Sequence, residues 1–191
     1  MNFYFFKCNE TELKRQRAFA GCLFKYALEK EKGITDVGYV KDERGKPYIP
    51  GTDIHMSLSH CKAGIVCVIA DFPVGIDIEE VSRINLRIAS KICTENELSF
   101  IENTQNKQEL LCRFWVLKEA YSKLTGQGFS AGFCGIDTLE GLKSRRFHTI
   151  KKDGEPPLYV GLALERVALS EPREVIVTSF PQSFLREGFC P

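Results

Sequence analysis

The sequence predicts an α+β fold made of two successive units, each an antiparallel sheet packed with helices. Two long helical patterns, ending at Gly33 and at Gly126, are each followed by a series of short strand patterns. We therefore divide the chain into an N-terminal half, residues 1–83, and a C-terminal half, residues 84–191. A functional site is expected in the cleft between these halves.

The first half is predicted to begin with a strand and a long helix. Residues 3–6 form a short aromatic run that is typical of a strand. Residues 9–12 then match a capping pattern, with Asn9 as the cap, and apolar residues follow at helical spacing as far as Gly33. Arg17 lies on the flank of this predicted helix, so its charge is available at the surface.

A hairpin and an antiparallel meander are predicted next. The predicted strands, separated by short turn sequences, cover residues 37–40, 46–49, 54–59, 65–70 and 74–81. The first two form the hairpin, and the last three form the meander. Asp77 and Glu79 lie on its last strand and point to the same side, because strand side chains alternate between faces.

The second half is predicted to contain two helices and then further strands. Residues 94–97 are a second capping pattern, which opens a helix to about Glu102. Asn106 caps a longer helix that ends at Gly126 and has apolar residues on two opposite sides. Such a helix is covered on both faces, so we expect it to lie between the two halves. The strands predicted after it are residues 134–140, 145–150, 157–164 and 174–180.

The composition is that of an ordinary globular protein and gives no sign of nucleic-acid or membrane binding. A chain of 191 residues can bury a sizeable core. Hydrophobic residues make up 43%, charged residues 27%, and the formal net charge is +1, so no global charge points to nucleic acid or to a membrane surface. Any anion site must therefore be local. The longest apolar run, residues 63–70, is too short to span a bilayer.

The cysteines indicate a reducing compartment. All eight occur singly, without a C-x-x-C pair or zinc-ligand spacing. The amino end lacks the basic lead and the cleavage site of a signal peptide. We therefore expect a cytoplasmic protein in which most of the thiols are small core residues.

Three carboxylates and two lysines suggest metal-assisted phosphoryl transfer. Asp77 and Glu79 are about 6–7 Å apart along their predicted strand. Glu119 and Lys123 are one turn apart on one face of the second long helix, and Lys118 is about a quarter-turn away. Mg²⁺ takes oxygen ligands and completes its shell with water and substrate phosphates, and Mn²⁺ is an alternative. Asp77, Glu79 and Glu119 therefore suit a metal bound to a diphosphate.

Four motifs occur in a fixed order along the chain. They are Gly45-Lys46-Pro47, His55-Met-Ser-Leu-Ser59-His60, Gly75-Ile-Asp77-Ile-Glu79 and the stretch from Trp115 to Phe129 with Lys118-Glu119 in it. In these motifs the chain resembles the 4′-phosphopantetheinyl transferases of the surfactin-synthetase-activating type, from about Arg17 to Phe129. Ser57 and Cys61 depart from the residues usual in that family, and neither is a presumed metal ligand.

The resemblance implies an activity, a fold and a set of site residues. The activity is Mg²⁺-dependent transfer of the 4′-phosphopantetheine arm of coenzyme A to a serine of an apo acyl or peptidyl carrier protein, which leaves adenosine 3′,5′-bisphosphate. The fold is a monomer with two pseudo-symmetric halves. The implied metal ligands are Asp77, Glu79 and Glu119, and the implied catalytic residues are Glu119, Lys123 and Lys118. The residues implied to contact coenzyme A are Arg17, Lys46, Pro47, Ser59, His60, Lys118 and Lys123.

Several points stay open at the level of sequence. Glu119, Lys123 or a metal-bound water could take the proton of the attacking serine, and we favour Lys123 as a charged phosphate clamp. The family often has a longer lysine-bearing segment at the amino end, whose work here would fall to Arg17 and its neighbours Lys14 and Arg15. A Mg²⁺-dependent phosphoesterase and a catalytically silent carrier-binding module are the rival functions. Intact ligand positions argue against the silent module.

A basic cluster follows the predicted metal strand. Arg83, Arg87 and Lys91 would suit an acidic carrier protein, and a solvated charged face explains them equally well. We expect no nucleic-acid or membrane partner.

Overall fold

The computed structural model describes residues 1–128, 132–155 and 157–181. Phe129, the end of the last motif, lies outside the described residues. The α-helices are α1 Leu13–Lys32, α2 Ala89–Ile92, α3 Glu95–Glu102, α4 Lys107–Thr125 and α5 Thr138–Lys143. The strands are β1 Asn2–Lys7, β2 Val40–Lys41, β3 Pro47–Tyr48, β4 His55–Cys61, β5 Gly64–Ala70, β6 Val74–Glu80, β7 Phe147–Lys152, β8 Leu158–Leu164 and β9 Arg173–Val177.

The described strands form two main sheets and a separate hairpin. The strand orders are β4-β5-β1-β9, β6-β8-β7 and, for the hairpin, β2-β3. All neighbouring strands are antiparallel except β1 and β9, which run parallel. The predicted α+β fold with antiparallel sheets is therefore confirmed, with one parallel strand added at an edge.

Two parts of the chain have the same topology. In the first, β1, α1, β4 and β5 follow one another and give the strand order β4-β5-β1. In the second, β6, α4, β7 and β8 are the main elements in that order and give the equivalent strand order β7-β8-β6. Helix α1 packs on the first sheet and α4 on the second. Two helix-and-sheet units are thus present, but β9, which was predicted to belong to the second unit, pairs with β1 of the first sheet.

The two sheets share a core of aliphatic and aromatic side chains. Phe3, Val66 and Val68 of the first sheet pack with Ile76 and Ile78 of the second, and none of the five is exposed. Burying such side chains contributes about 1.5–3 kcal/mol each in transfer free energy. The two sheets are therefore held together by a shared core, so β6 has a fixed position beside the first sheet.

Helix α4 lies very close to the second sheet because glycines face it. A Cβ on Gly75 would lie 1.9 Å from the carbonyl oxygen of Ala120, and one on Gly161 would lie 2.6 Å from that of Val116. Neither contact is possible, so both positions require glycine. This close approach explains the glycine that precedes Asp77 in its motif, and it brings the strand carrying Asp77 against the helix carrying Glu119. As predicted, α4 is buried on both of its faces.

The predicted meander is wrong at its third strand. Strands β4 and β5 pair as expected, but β6 pairs with β8, from Val74 opposite Leu164 to Glu80 opposite Leu158. The backbone of β6 therefore forms its ladder with the second unit, although the backbone N–H of Ile76 donates to Ser57 Oγ of β4. Asp77 and Glu79 belong to the sheet of the second unit. The division of the chain after residue 83 stays a prediction as a domain boundary, although the second sheet already begins with β6.

Local side-chain chemistry explains two further differences. Helix α1 starts at Leu13 with Glu12 at the N-cap position, not at the predicted cap Asn9, because the Glu10 carboxylate accepts from the backbone N–H of Thr11 and of Glu12. The predicted strand 134–140 is instead a 3₁₀ turn, Phe133–Gly135, followed by α5. Asp137 caps that helix by accepting from two backbone N–H groups, which favours helix over strand.

The other predicted elements are confirmed with shorter or shifted ends. Thr94 and Glu97 form the predicted capping box at the start of α3. Asn106 is the N-cap of α4 by position, although its side chain makes no capping hydrogen bond. Among the cysteines with free thiols, Cys61, Cys67, Cys93 and Cys112 are buried, as expected for core residues. No helix in the described ranges is long and apolar enough to cross a membrane. The cytoplasmic location and the monomeric state stay predictions.

Candidate active site

A pocket opens where α1, the β2–β3 hairpin, β4 and α4 meet. Its volume is about 620 Å³, within the usual range for small-molecule sites. The residues in its lining that the sequence predicted are Arg17, Lys46, Pro47, His60, Glu119 and Lys123. Three of the four sequence motifs and the first helix therefore converge on one cavity, and the remaining motif, which carries Asp77, contributes no lining residue.

The lining is strongly cationic. Its five lysine and arginine residues are Arg17, Lys41, Arg44, Lys46 and Lys123, against Glu119 as the acidic residue. Sequence reasoning missed Lys41 and Arg44, which lie on the hairpin just before Gly45-Lys46-Pro47. Their closeness to that motif was the available signal. The whole chain has a formal net charge of only +1, so this concentration of positive charge is local, as the composition predicts for any anion site.

Asp77 lies in the wall behind the pocket and is almost fully buried, at 4% exposure. Its Oδ1 accepts hydrogen bonds from Ser59 Oγ and Lys123 Nζ, each at 2.7 Å. Its Oδ2 is buried and has no hydrogen-bond partner. One oxygen of this carboxylate is thus fully engaged, and the other is open to an electropositive partner.

Glu79 and Glu119 lie in the electrostatic neighbourhood of Asp77. Burial, together with the charge of Asp77, raises the pKa of Glu79 to about 7, against the opposing effect of Arg83. Burial also raises the pKa of Glu119 to about 7, with Asp77 again adding to the shift and Lys123 opposing it. The three carboxylates therefore repel one another in a partly dehydrated place, which is the condition that a bound cation relieves.

These carboxylates fit a divalent metal in chemistry but are not gathered as ligands. Glu79 Oε2, like Asp77 Oδ2, is buried without a hydrogen-bond partner. Carboxylate oxygens are the ligands that Mg²⁺ and Mn²⁺ prefer. Across the described part of the chain, however, no three His, Cys, Asp or Glu side chains are grouped so as to hold one metal ion. Glu119 and the two β6 carboxylates would have to close around an ion.

The raised pKa values predict that the metal-free protein loses stability as the pH rises from about 4.5 to about 7. A glutamate whose pKa is higher in the folded than in the unfolded chain binds its proton more tightly when folded, so folding is favoured below that window and disfavoured above it. We expect Glu119→Gln to flatten this dependence. Chemical denaturation with a chelator at several pH values measures it, and identical pH profiles for both proteins would contradict the assignment.

Lys123 of α4 connects this helix to strands β4 and β6. Its Nζ donates to Ser59 Oγ and to Asp77 Oδ1, each at 2.7 Å. Ser59 itself is buried and uses its hydroxyl on Asp77. The structure thus places Ser59 with the Asp77 carboxylate, whereas the resemblance implied a phosphate contact. Contact between Ser59 and a phosphate stays a prediction.

Lys118 is not a pocket residue, and its predicted role beside the phosphates is wrong. Its side chain is completely buried, and its Nζ lies 2.8 Å from Glu97 Oε2. The same ammonium donates to the backbone carbonyls of Phe133 and Ile136. Glu97 also accepts from Thr138, so the network ties α3 and α4 to the first residue of α5 and to the segment before it. Lys118 lies about a quarter-turn from Glu119, and this rotation directs it into the core of the second unit.

Lys46 and His60 are positioned at the pocket by specific contacts. Lys46 Nζ donates to the carbonyl of Leu124, at 2.6 Å, in the last turn of α4. This bond joins the Gly45-Lys46-Pro47 hairpin to the end of the helix that carries Glu119. Burial lowers the pKa of His60, and the charges of Lys123 and Arg17 lower it further. His60 therefore shares the pocket with two cations that act on it electrostatically, in a place suited to an anion.

The sequence pattern of the 4′-phosphopantetheinyl transferase superfamily matches residues 73–170, just over half of the chain. The chain belongs to this superfamily. The match includes β6 and α4, and hence Asp77, Glu79, Glu119 and Lys123.

Individual relatives carry the corresponding names. The 4′-phosphopantetheinyl transferase gsp of Aneurinibacillus migulanus is 39% identical over 90 residues, which cover 46% of this chain and 38% of that protein. The transferase Sfp of Bacillus subtilis strain 168 is 31% identical over 109 residues, covering 56% and 47%. A protein of Streptococcus sanguinis named as a holo-(acyl-carrier-protein) synthase is 41% identical over 80 residues, covering 38% and 65%. The chain thus spans about half the length, or less, of the first two relatives.

Proposed function

We propose that this protein transfers the 4′-phosphopantetheine arm of coenzyme A to a serine hydroxyl of an apo acyl or peptidyl carrier protein, releasing adenosine 3′,5′-bisphosphate. The observation that carries the proposal is the buried Asp77 carboxylate, which has one oxygen without a hydrogen-bond partner and is bonded through the other to Lys123 in the lining of a cationic pocket. Membership of the superfamily and the names of the relatives support it.

The pocket has the charge and size for coenzyme A. Its five lysine and arginine side chains would face an anion that carries a diphosphate and a phosphomonoester. Charged donors form the stronger hydrogen bonds to phosphate oxygens. Arg17 and His60 line the pocket, and we assign them to the 3′-phosphate. Lys123, which lies beside Asp77, is assigned to the diphosphate, and Lys46 and Pro47 to the adenosine part.

Asp77, Glu79 and Glu119 would hold Mg²⁺, with Mn²⁺ as an alternative. The bound ion would neutralise the charge that develops on the diphosphate as the leaving group departs. The protein's own residues would keep the developing charge close to Lys123 and away from water. The buried position of Asp77 helps, because electrostatic interactions are stronger where water is excluded.

Release of adenosine 3′,5′-bisphosphate separates this proposal from its rivals. The protein would be incubated with coenzyme A and Mg²⁺, with and without an apo carrier protein, and the bisphosphate measured by chromatography. We expect release only with the carrier. A phosphoesterase would release it without any carrier, and a catalytically silent module would release none under either condition.

Arg17→Ala and His60→Ala are expected to weaken coenzyme A binding without changing the chemical step. Both side chains line the pocket, and neither is placed to bind the metal. If they hold the 3′-phosphate, each variant should lose roughly 10-fold in kcat/KM with coenzyme A, or about 1.4 kcal/mol, and little with dephospho-coenzyme A. Lys30→Ala, an exposed residue of the same helix that is absent from the pocket lining, is the control. Equal losses with both substrates would refute the assignment.

The basic cluster after β6 is not needed for this proposal. Arg83, Arg87 and Lys91 are exposed, and Arg83 lies 3.8 Å from Glu79. Exposure suits a carrier contact and a solvated face alike.

A further inference from the structure

The ammonium group of Lys123 binds the Asp77 carboxylate, which a divalent cation would also bind. It lies 2.7 Å from Asp77 Oδ1, and within the described part of the chain the Asp77 side chain has one other hydrogen bond, which the same oxygen accepts from Ser59. No other lysine or arginine of the described residues forms a salt bridge to Asp77. The charge of this buried carboxylate is therefore balanced by Lys123.

A divalent cation bound to Asp77 could not leave this contact undisturbed. The cation and the ammonium carry like charges and would share one carboxylate in a place that is nearly closed to water, where repulsion is weakly screened. Glu79 Oε2 and Asp77 Oδ2 are without hydrogen-bond partners, so oxygen ligands are available once the positive charge of Lys123 moves off. The arrangement is one in which two cations compete for one site.

The ammonium group of Lys123 can move from Asp77 into the pocket. Its side chain is 30% exposed and already lines the pocket, whereas Asp77 is 6% exposed in its side chain. A lysine stem has several rotatable bonds, so its ammonium can move by a few ångströms without any change in the helix. Ser59 would continue to donate to Asp77 and keep that carboxylate in place.

We propose that Lys123 stands in for the divalent cation in the metal-free protein, leaves Asp77 when the cation binds, and then presents its charge to the diphosphate in the pocket. The inference rests on the proposed function for its metal site and goes beyond it. It makes Lys123 a positioning residue for Asp77 in one state and a phosphate ligand in the other. The proposal also links cation binding to diphosphate binding, because Lys123 becomes available to the diphosphate only when the cation is bound.

The affinity for Mn²⁺ in the absence of coenzyme A tests the competition. Free Mn²⁺ would be measured by electron paramagnetic resonance for the wild type and for Lys123→Met, Lys41→Met and Asp77→Asn, each checked for folding by circular dichroism. Lys41→Met is the matched control, because it removes the same charge from the same pocket without touching Asp77. We expect Lys123→Met to bind Mn²⁺ about tenfold more tightly, the factor for about 1.4 kcal/mol. Lys41→Met should change little, and Asp77→Asn should abolish binding.

Amine labelling tests the release. With a water-soluble acylating reagent and peptide mass spectrometry, Lys123 of the wild type should react several times faster when Mg²⁺ is present, while Lys41 in the same molecule should react at an unchanged rate. Equal or weaker Mn²⁺ binding by Lys123→Met, or labelling of Lys123 that Mg²⁺ leaves unchanged, would overturn the proposal. Neither measurement uses a carrier protein. A protein that passes both and transfers nothing would refute the proposed function alone.

Discussion

Replacing Lys118 by methionine is expected to cost about 3–5 kcal/mol of the free energy of unfolding, the scale for breaking a buried ion pair by removing one partner. Lys118 and Glu97 are both completely buried, so the Glu97 carboxylate would be left charged, or would have to take up a proton, without access to water. The carbonyl groups of Phe133 and Ile136 would lose a donor as well. Chemical denaturation at neutral pH measures the loss.

Two further variants show whether the uncompensated charge is the cause. Lys118→Met combined with Glu97→Gln removes both charges and keeps an acceptor for Thr138, so it should be more stable than Lys118→Met alone. Lys107→Met makes the same substitution at an exposed position of the same helix and should change stability by less than about 0.5 kcal/mol. A loss below about 1 kcal/mol in Lys118→Met would show that Lys118 is not an essential partner of Glu97.

Asp77→Ala and Glu119→Ala are each expected to reduce the rate of transfer by at least about 10²–10³-fold, the scale for removing one preorganised charge-stabilising group. The two residues lie on β6 and α4 and meet through the close approach at Gly75. Neither variant could complete the proposed metal site. The rate of carrier modification at saturating Mg²⁺ and coenzyme A measures the effect.

Glu109→Ala is the matched control for Glu119→Ala. Glu109 is a carboxylate on the same helix, bonded to Lys151 and Tyr159 and absent from the pocket lining. It should therefore keep the wild-type rate. Full activity in either Asp77→Ala or Glu119→Ala, with thermal melting that confirms a folded protein, would remove the metal-site hypothesis.

The pocket was predictable because its residues lie in short motifs whose local structure is dictated by the sequence. Alternation along a strand places Asp77 and Glu79 on one side, and helical spacing does the same for Glu119 and Lys123. The sequence shows Gly75 as part of a motif, but only the structure explains why glycine is needed there: its backbone lies against the Ala120 carbonyl. Local pattern thus indicated the residues, and packing explained their spacing.

The sequence-based predictions were wrong where the partner of a side chain or strand is distant in sequence. Strand β6 could have paired with β5, its neighbour in sequence, and nothing local distinguishes that choice from the observed pairing with β8. Lys118 is adjacent to Glu119 in sequence, yet it contacts Glu97 of another helix. Ser59 likewise bonds to Asp77, 18 residues away, across the junction between two sheets. Such contacts depend on tertiary packing and leave no local signature.

The intact mass of an apo carrier protein after incubation with this protein, coenzyme A and Mg²⁺ tests the central claim most directly. Carriers of the fatty-acid, polyketide and peptide-synthetase types would be tried, each beside a variant in which alanine replaces the acceptor serine. The proposed function predicts that at least one carrier gains the mass of the phosphopantetheine arm and that its alanine variant does not. Unchanged masses for all of the carriers, with folded protein that binds coenzyme A, would contradict it.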